Sequence, residues 1–279
     1  MALKLMYITN NPDVALIAEK AGVDRIFIDL EHVGKGFRQG GMDTVQNHHT
    51  SRDVRKIKKV LTKSKVMVRV NPIHDINIEK KYKGTELEVA SVIRAGADIV
   101  MLPYFKTADE VRRFIKAVKG KAKTLLLFET PEAIKNIDEI LEIEGIDEVF
   151  IGLNDLSLGY GQKFMFKPLA DGTVDKVIEK FKAKKLPYGF GGVASLGRGA
   201  LPGEKVIAEH YRLGSTCVIL SRSFCNTSLI DNIDVINMTF KNGIKEIREF
   251  ERYCQKQDED FFKSNRRSVK KIVDKICQG

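Results

Sequence analysis

The sequence has no tryptophan, only seven prolines and only four cysteines in 279 residues. Nowhere does it carry an apolar run near the roughly 20 residues that a membrane span needs. The cysteines, Cys217, Cys225, Cys254 and Cys277, stand far apart with neither a CxxC pair nor a zinc spacing. A disulfide-stapled scaffold and a structural zinc site are thereby excluded, and reduced thiols remain. The start, Met1 to Asn10, lacks the basic region, long apolar stretch and small-residue cleavage site of a secretory leader, so a cytoplasmic location is expected. Positive charge is what the chain has in excess, with 47 Lys and Arg against 37 Asp and Glu. Such an excess raises nucleic-acid or membrane-surface binding as a possibility. The lysines are scattered over helical faces, however, as in Arg55-Lys56-Lys58-Lys59 and Lys180-Lys182-Lys184-Lys185. Solvated helix faces are therefore expected, with no nucleic-acid and no membrane partner.

What is present is alternation. Short apolar runs recur at Leu5–Ile8, Arg25–Leu30, Lys65–Val70, Ile99–Leu102, Thr124–Phe128, Glu148–Ile151, Tyr188–Gly191 and Cys217–Leu220, each followed by an amphipathic helical pattern. Helix starts are marked at Asn11-Pro12, at Thr107 before Ala108-Asp109-Glu110, and at Thr130-Pro131-Glu132; Ala21-Gly22 and Ala95-Gly96 mark helix ends. Eight such units predict an α/β fold of the (β/α)8 barrel type, as one domain over residues 1–279. A doubly wound open sheet is the alternative, but Thr9-Asn10-Asn11-Pro12 is not the glycine-rich turn such a sheet usually shows after its first strand. The basic stretch Arg266 to Lys275 is interleaved with Val269, Ile272, Val273 and Ile276 at helical spacing. It predicts an amphipathic helix within a C-terminal helical extension, residues 239–279, used in packing or in a homo-oligomer.

Barrel chemistry gathers at the C-terminal ends of the strands. The second run ends in Asp29-Leu30-Glu31-His32, the third carries Arg69, the fifth ends in Glu129, and the sixth runs into Leu153-Asn154-Asp155. Arg69 stands inside the apolar run Val66-Met67-Val68-Arg69-Val70, where a charge needs a partner on whichever side it faces. Two carboxylates at neighbouring strand ends, Glu129 and Asp155, make a hard oxygen site for Mg²⁺ or Mn²⁺. Such a cation can take a 2-oxo acid through its carboxylate and keto oxygens and stabilise the enolate, with Arg69 donating to the same oxygen. His32 is the candidate general base, with Asp29 holding its tautomer and Glu31 placing a water or supporting the histidine beside the substrate. Each residue also has a plainer role open to it. Asp155 can cap a turn, Glu129 can serve a helix start, Arg69 can pair with Asp29 or Glu31, and His32, like the adjacent His48-His49, can be a loop histidine.

The stretches Ile28-Asp29-Leu30-Glu31-His32, Val68-Arg69-Val70, Phe128-Glu129-Thr130 and Phe150-Ile151-Gly152-Leu153-Asn154-Asp155-Leu156-Ser157 resemble the HpcH/HpaI aldolase group. This is the class II pyruvate aldolase branch of the phosphoenolpyruvate/pyruvate barrel superfamily. The likeness covers Ala15 to Gly161 well and the remainder more loosely, and the order of four motifs makes it specific. It implies a metal held by Glu129 and Asp155, an enolate-stabilising Arg69 and an Asp29–His32 base dyad, with Leu153 and Asn154 beside the substrate. It further implies a lyase that cleaves or forms a 4-hydroxy-2-oxo acid, giving pyruvate and an aldehyde, and assembly through C-terminal helices. Relatives of the group include citrate-lyase-type subunits and a citrate-forming branch, so a condensing enzyme working on oxaloacetate or pyruvate with an anionic co-substrate is an alternative. A barrel without catalysis, acting as a binding or assembly protein, is another.

Three departures from that group bear on the second substrate. Leu127 stands where its aldolases carry a glutamine. The connection Val33 to Ser51 is long and glycine-rich, as lids and binding loops are, and offers Arg38, Gln39, His48 and His49. The segment Gly189–Lys205 does not match GxxxxGK[ST], yet it follows the seventh run, where barrels often bind phosphate. Arg198 within it and Arg222 after the eighth run are candidates for holding an anionic co-substrate.

Overall fold

The structure, a computed structural model, describes residues 2–34, 49–80 and 82–278. Eight parallel strands close into a barrel in the order β1-β10-β9-β8-β7-β6-β3-β2. They are β1 (Lys4–Ile8), β2 (Arg25–Asp29), β3 (Lys65–Arg69), β6 (Ile99–Leu102), β7 (Lys123–Phe128), β8 (Glu148–Ile151), β9 (Tyr188–Val193) and β10 (Cys217–Leu220), with a small antiparallel hairpin of β4 (Ile76–Asn77) and β5 (Tyr82–Lys83) between β3 and β6. All eight expected strands are present, displaced by at most two residues at an end. Closure is set by β1 against β10, with Lys4 opposite Cys217 and Tyr7 opposite Leu220, which removes the open-sheet alternative.

The caps read from the sequence form as expected. Helix α1 (Pro12–Ala21) starts where Asn11 Oδ1 accepts the N–H groups of Asp13 and Val14 at 2.9 and 3.4 Å, and ends at Gly22 with φ 102°, the left-handed conformation that glycine tolerates. Thr107 and Glu110 form a reciprocal capping box. Thr130 Oγ1 accepts from Ala133 N at 3.1 Å and donates to the carbonyl of Phe105 at 2.7 Å, so the residue after Glu129 is anchored on two elements.

Strand side chains alternate between two cores. Val66, Val68, Leu126 and Phe128 pack outward under the helices, while Met6, Phe27, Met67, Leu125, Leu127 and Phe150 fill the barrel. The period of two then dictates which way the strand ends point. Asp29, Arg69 and Glu129 are each two residues beyond an inward residue and share its side. At the opposite end the same parity turns Arg25 and Glu148 inward, where they pair at 2.7 Å with side chains 5% and 4% exposed. The barrel therefore has an ion-paired floor, an apolar middle and an ionisable mouth.

The C-terminal region packs as two long helices, α11 (Ile233–Cys254) and α12 (Glu259–Gln278). Because α11 begins at Ile233, the boundary expected at residue 239 falls inside a continuous helix. That helix is tied to the barrel, since Glu251 Oε1 accepts the N–H of Leu3 at 2.7 Å. Helix α12 turns Val269 and Val273 inward, and its Asn265 Nδ2 donates to Glu209 Oε1 at 2.9 Å. The amphipathic reading of the basic tail is thus realised in packing within one chain.

Candidate active site

A cavity of about 1290 Å³ opens at the C-terminal ends of the strands, with Asp29, Arg69, Glu129, Asn154, Asp155 and Arg222 in its wall. Arg69 faces the barrel interior. Its Nε and Nη2 donate to the two oxygens of Asp29 at 2.9 and 2.8 Å, and Nη1 lies 3.2 Å from Glu31 Oε2. The ring of Phe27 lies beneath the guanidinium, 5.6 Å from its carbon. Burial opposes the charge on Arg69, but Asp29, then Glu31 and Glu129, outweigh it and hold the pKa well above the ordinary arginine value. The guanidinium is a permanent cation held in a fixed plane, and the bidentate pair with Asp29 uses only two of its five N–H groups.

Glu129 and Asp155 are 3% and 8% exposed. Strands β7 and β8 are neighbours with Phe128 opposite Ile151, so the residues that follow these two strands share one part of the mouth. Glu129 Oε1 accepts the backbone N–H of Tyr104 at 3.0 Å. Tyr104 has φ 49°, a left-handed conformation costly for a side chain of this size, and such outliers persist where the surroundings over-determine them. On the other side of Glu129 lies Gly152, where a Cβ atom would stand 2.6 Å from Glu129 Oε2. Asp155 belongs to the first turn of helix α7 (Leu153–Gly159). Neither Gly152 nor Tyr104 was singled out by sequence reasoning. Glycine in the Gly152-Leu153-Asn154-Asp155 motif was the one available signal.

Not every expected residue reaches the cavity. His32 is exposed and absent from the described lining. Its Nδ1 lies 3.0 Å from the carbonyl of Leu30, and its ring stands edge-on to Tyr82 at 5.8 Å. A carbonyl only accepts, so Nδ1 carries the hydrogen. The expectation that Asp29 sets the His32 tautomer is corrected accordingly, because the Leu30 carbonyl does so, while Asp29 accepts from Arg69 and from the N–H of Glu31. Glu31 is 1% exposed and sits behind Arg69 instead of in the wall. Leu153 and Asn154 are in the wall, as is Leu127. Arg198 is exposed and outside the described lining, whereas Gly191, Gly192 and Gly199 line the cavity, together with Arg222 and Lys163. Of the expected loop contributors, Arg38, Gln39 and His48 lie outside the described residues. His49 does line the cavity, and its Nδ1 accepts the backbone N–H of Asp29 at 3.1 Å.

Residues 4–185 match the family model of HpcH/HpaI aldolase/citrate lyase. Among curated relatives, a 2-keto-3-deoxy-L-rhamnonate aldolase of Escherichia coli is 25% identical over 213 residues, covering 65% of this chain and 71% of that protein. The crystal structure of an HpcH/HpaI aldolase from Desulfitobacterium hafniense DCB-2 superposes with a TM-score of 0.59 at 18% identity, covering 88% of this chain and 93% of that one. A structure of an HpcH/HpaI aldolase/citrate lyase family protein from Burkholderia cenocepacia J2315 gives 0.60 at 16% identity, covering 88% and 94%. At these identities the two structures attest the fold.

Proposed function

The chain belongs to the HpcH/HpaI aldolase/citrate lyase family, and from that premise we propose that it is a metal-dependent carbon–carbon lyase acting on a 4-hydroxy-2-oxo acid through a pyruvate enolate. The observation that carries this reading is the convergence of four strand ends, which bring Asp29, Arg69, Glu129 and Asp155 to one cavity. The two carboxylates Glu129 and Asp155 suit a hard divalent cation such as Mg²⁺ or Mn²⁺, being buried oxygen donors from adjacent strand ends. Among the described residues no cluster of three or more His, Cys, Asp or Glu gathers. A site of two carboxylates completed by water and substrate oxygens is the pattern Mg²⁺ accepts. A cation bound there supplies Lewis-acid polarisation of the 2-oxo group.

The chain's own residues do the rest. Arg69, fixed in plane by Asp29, is preorganised to donate to the 2-oxo oxygen as charge develops on it, with no reorganisation at the moment of reaction. In the cleavage direction His32 takes the proton of the 4-hydroxyl and the C3–C4 bond breaks. Its electron pair passes to the 2-oxo oxygen as an enolate, and the aldehyde leaves. Protonation at C3 then gives pyruvate. That role requires the His32 ring to leave the Leu30 carbonyl and turn to the cavity. Glu31 supports Arg69 from behind, and Leu153 and Asn154 flank the substrate.

One observation favours a charged second substrate. The cavity exceeds the roughly 300–1,000 Å³ of an ordinary small-molecule site, and both Lys163 and Arg222 are in its wall. An anionic aldehyde or the co-substrate of a citrate-forming or sugar-aldehyde condensing enzyme fits that feature, with Arg198 left out of it. Assembly as a homo-oligomer is proposed through the C-terminal helices, where Ile233, Val235 and Met238 expose apolar surface. The test is pyruvate release from a panel of 2-keto-3-deoxy sugar acids with Mg²⁺ or Mn²⁺. Release that stops on chelation and in Glu129→Gln is expected. No release from any member of the panel by folded, metal-supplied protein contradicts the reading.

A further inference from the structure

The ring of His32 is exposed, yet the backbone that carries it is tied down. Strands β2 and β3 run in register as far as Asp29 opposite Arg69, and the N–H of Leu30 then donates to the carbonyl of Arg69 at 2.9 Å. Donors in a parallel ladder recur at every second residue, so the next bond of this ladder would run from the N–H of His32 to the carbonyl of Asn71. The side chain of Asn71 takes that place. Its Oδ1 accepts the N–H groups of His32 and Val33, both at 2.9 Å, which uses both lone pairs of the amide oxygen. Asn71 Nδ2 in turn donates to Glu88 Oε1 at 2.7 Å, and the Asn71 backbone N–H donates to Glu88 Oε2 at 3.2 Å. Glu88 belongs to the helix Thr85–Ala95. Three segments therefore meet at one amide, on a residue that is 3% exposed.

We propose that Asn71 and Glu88 are positioning residues for His32 and act through its backbone. The inference rests on the reading of His32 as the base. Glu88 supplies the orientation of the amide. Both carboxylate oxygens face N–H donors, so the NH2 side of Asn71 turns to Glu88 and the oxygen turns to the chain at His32. Flipped, the amide would set its own N–H groups against those of His32 and Val33. With that backbone held, the imidazole travels between the Leu30 carbonyl and the cavity by side-chain rotation, and the chain at His32 need not move. The same amide stands two residues beyond Arg69, so it fixes the base relative to the group that meets the enolate charge. Neither Asn71 nor Glu88 is in the described cavity wall, so both act on alignment and not on substrate binding.

A double-mutant cycle reads this role, using Mn²⁺ and the 2-keto-3-deoxy sugar acid that the wild-type protein cleaves fastest. Asn71→Ala is expected to lower kcat about 100-fold, the scale of a misplacement of about 1 Å, with KM within about twofold. In a His32→Ala background the same substitution should cost no more than about twofold, because no ring is left to position. Glu88→Gln offers one acceptor where two are used and should cost about tenfold, again only while His32 is present. Asn71→Asp combined with Glu88→Gln exchanges carboxylate and amide and can keep all four hydrogen bonds. That pair should recover most of the kcat lost in Glu88→Gln. If Asn71→Ala does not fold, Glu88→Gln and the exchanged pair carry the cycle. Equal losses with and without His32 overturn the inference, since they make the amide a structural tie alone. Wild-type kcat in folded Asn71→Ala overturns it too, as does an exchanged pair no faster than Glu88→Gln. Wild-type cleavage by His32→Ala overturns the base reading, and this inference with it; an impaired His32→Ala in which the further losses still add in full overturns this inference alone.

Discussion

Replacing Gly152 by alanine adds one methyl group beside the carboxylate proposed to hold the metal. Gly152 has φ −83° and ψ 93°, a conformation any residue adopts, so the substitution tests space and not backbone freedom. The new Cβ would stand 2.6 Å from Glu129 Oε2, 2.8 Å from Glu129 Cβ and 3.2 Å from Leu127 Cδ1. Carbon atoms in good contact lie about 3.5–4.0 Å apart, so the Glu129 side chain must yield by about 1 Å. Its Cβ belongs to the strand end and cannot swing away as a side-chain tip can. Overpacking of this kind costs about 1–3 kcal/mol of stability, and a misplacement of about 1 Å at a reacting centre costs about 100-fold in rate. The assay is Mn²⁺ binding followed by paramagnetic resonance, in parallel with pyruvate release and urea unfolding. Gly152→Ala should remain folded while metal affinity and turnover fall together. A folded variant with wild-type affinity and turnover would refute the idea that the position of Glu129 matters.

Other outcomes follow from neighbouring contacts. Arg69→Lys keeps the charge but not the planar two-point pair with Asp29, so kcat should fall while KM for the 2-oxo acid changes little; an unchanged kcat counts against a preorganised donor. Arg222→Ala should raise KM for anionic aldehydes about fivefold, the scale of an exposed ion pair, and leave neutral aldehydes unaffected; equal effects on both would remove the anion role. Burial pushes His210 down to about 3, with its ring stacked on Phe190 at 3.8 Å. A folded pKa below the unfolded value of about 6.5 favours the neutral ring. Its contribution is therefore complete above pH ~6.5 and is lost as the pH falls toward 3, by about 1.4 kcal/mol per unit. Urea midpoints should drop from pH 7 to pH 5 in the wild type and drop less in His210→Phe; parallel drops would contradict the assignment.

The barrel was legible because its information is local. Alternating apolar runs gave the eight strands, and Asn11, Thr107 and Thr130 gave three helix starts that form as hydrogen-bonded caps. The inward parity of Asp29, Arg69 and Glu129 follows from the same period of two, so their convergence was legible as well. What was not legible depends on contacts between distant segments. The hairpin of β4 and β5 is too short to show a period, and its Tyr82 helps seat His32 outside the cavity. His48-His49 reads as a loop pair, and only the folded chain brings His49 Nδ1 to the N–H of Asp29. Arg198 and Arg222 looked alike in sequence, yet the first lies outside the described lining and the second within it. The extension boundary at residue 239 failed because α11 starts six residues earlier, capped by Asn232. Leu127, in place of a glutamine, does line the cavity, so the departure read from the family resemblance falls where it can alter substrate choice.

The most direct test of the central claim is the exchange of pyruvate's methyl protons in deuterated water, followed by proton resonance with and without Mn²⁺ or Mg²⁺. Exchange that requires the cation, stops on chelation, and is lost in Asp155→Asn and Glu129→Gln while both variants stay folded is the predicted result. Exchange that proceeds at the same rate after chelation, or none at all from folded protein supplied with either cation, would contradict it.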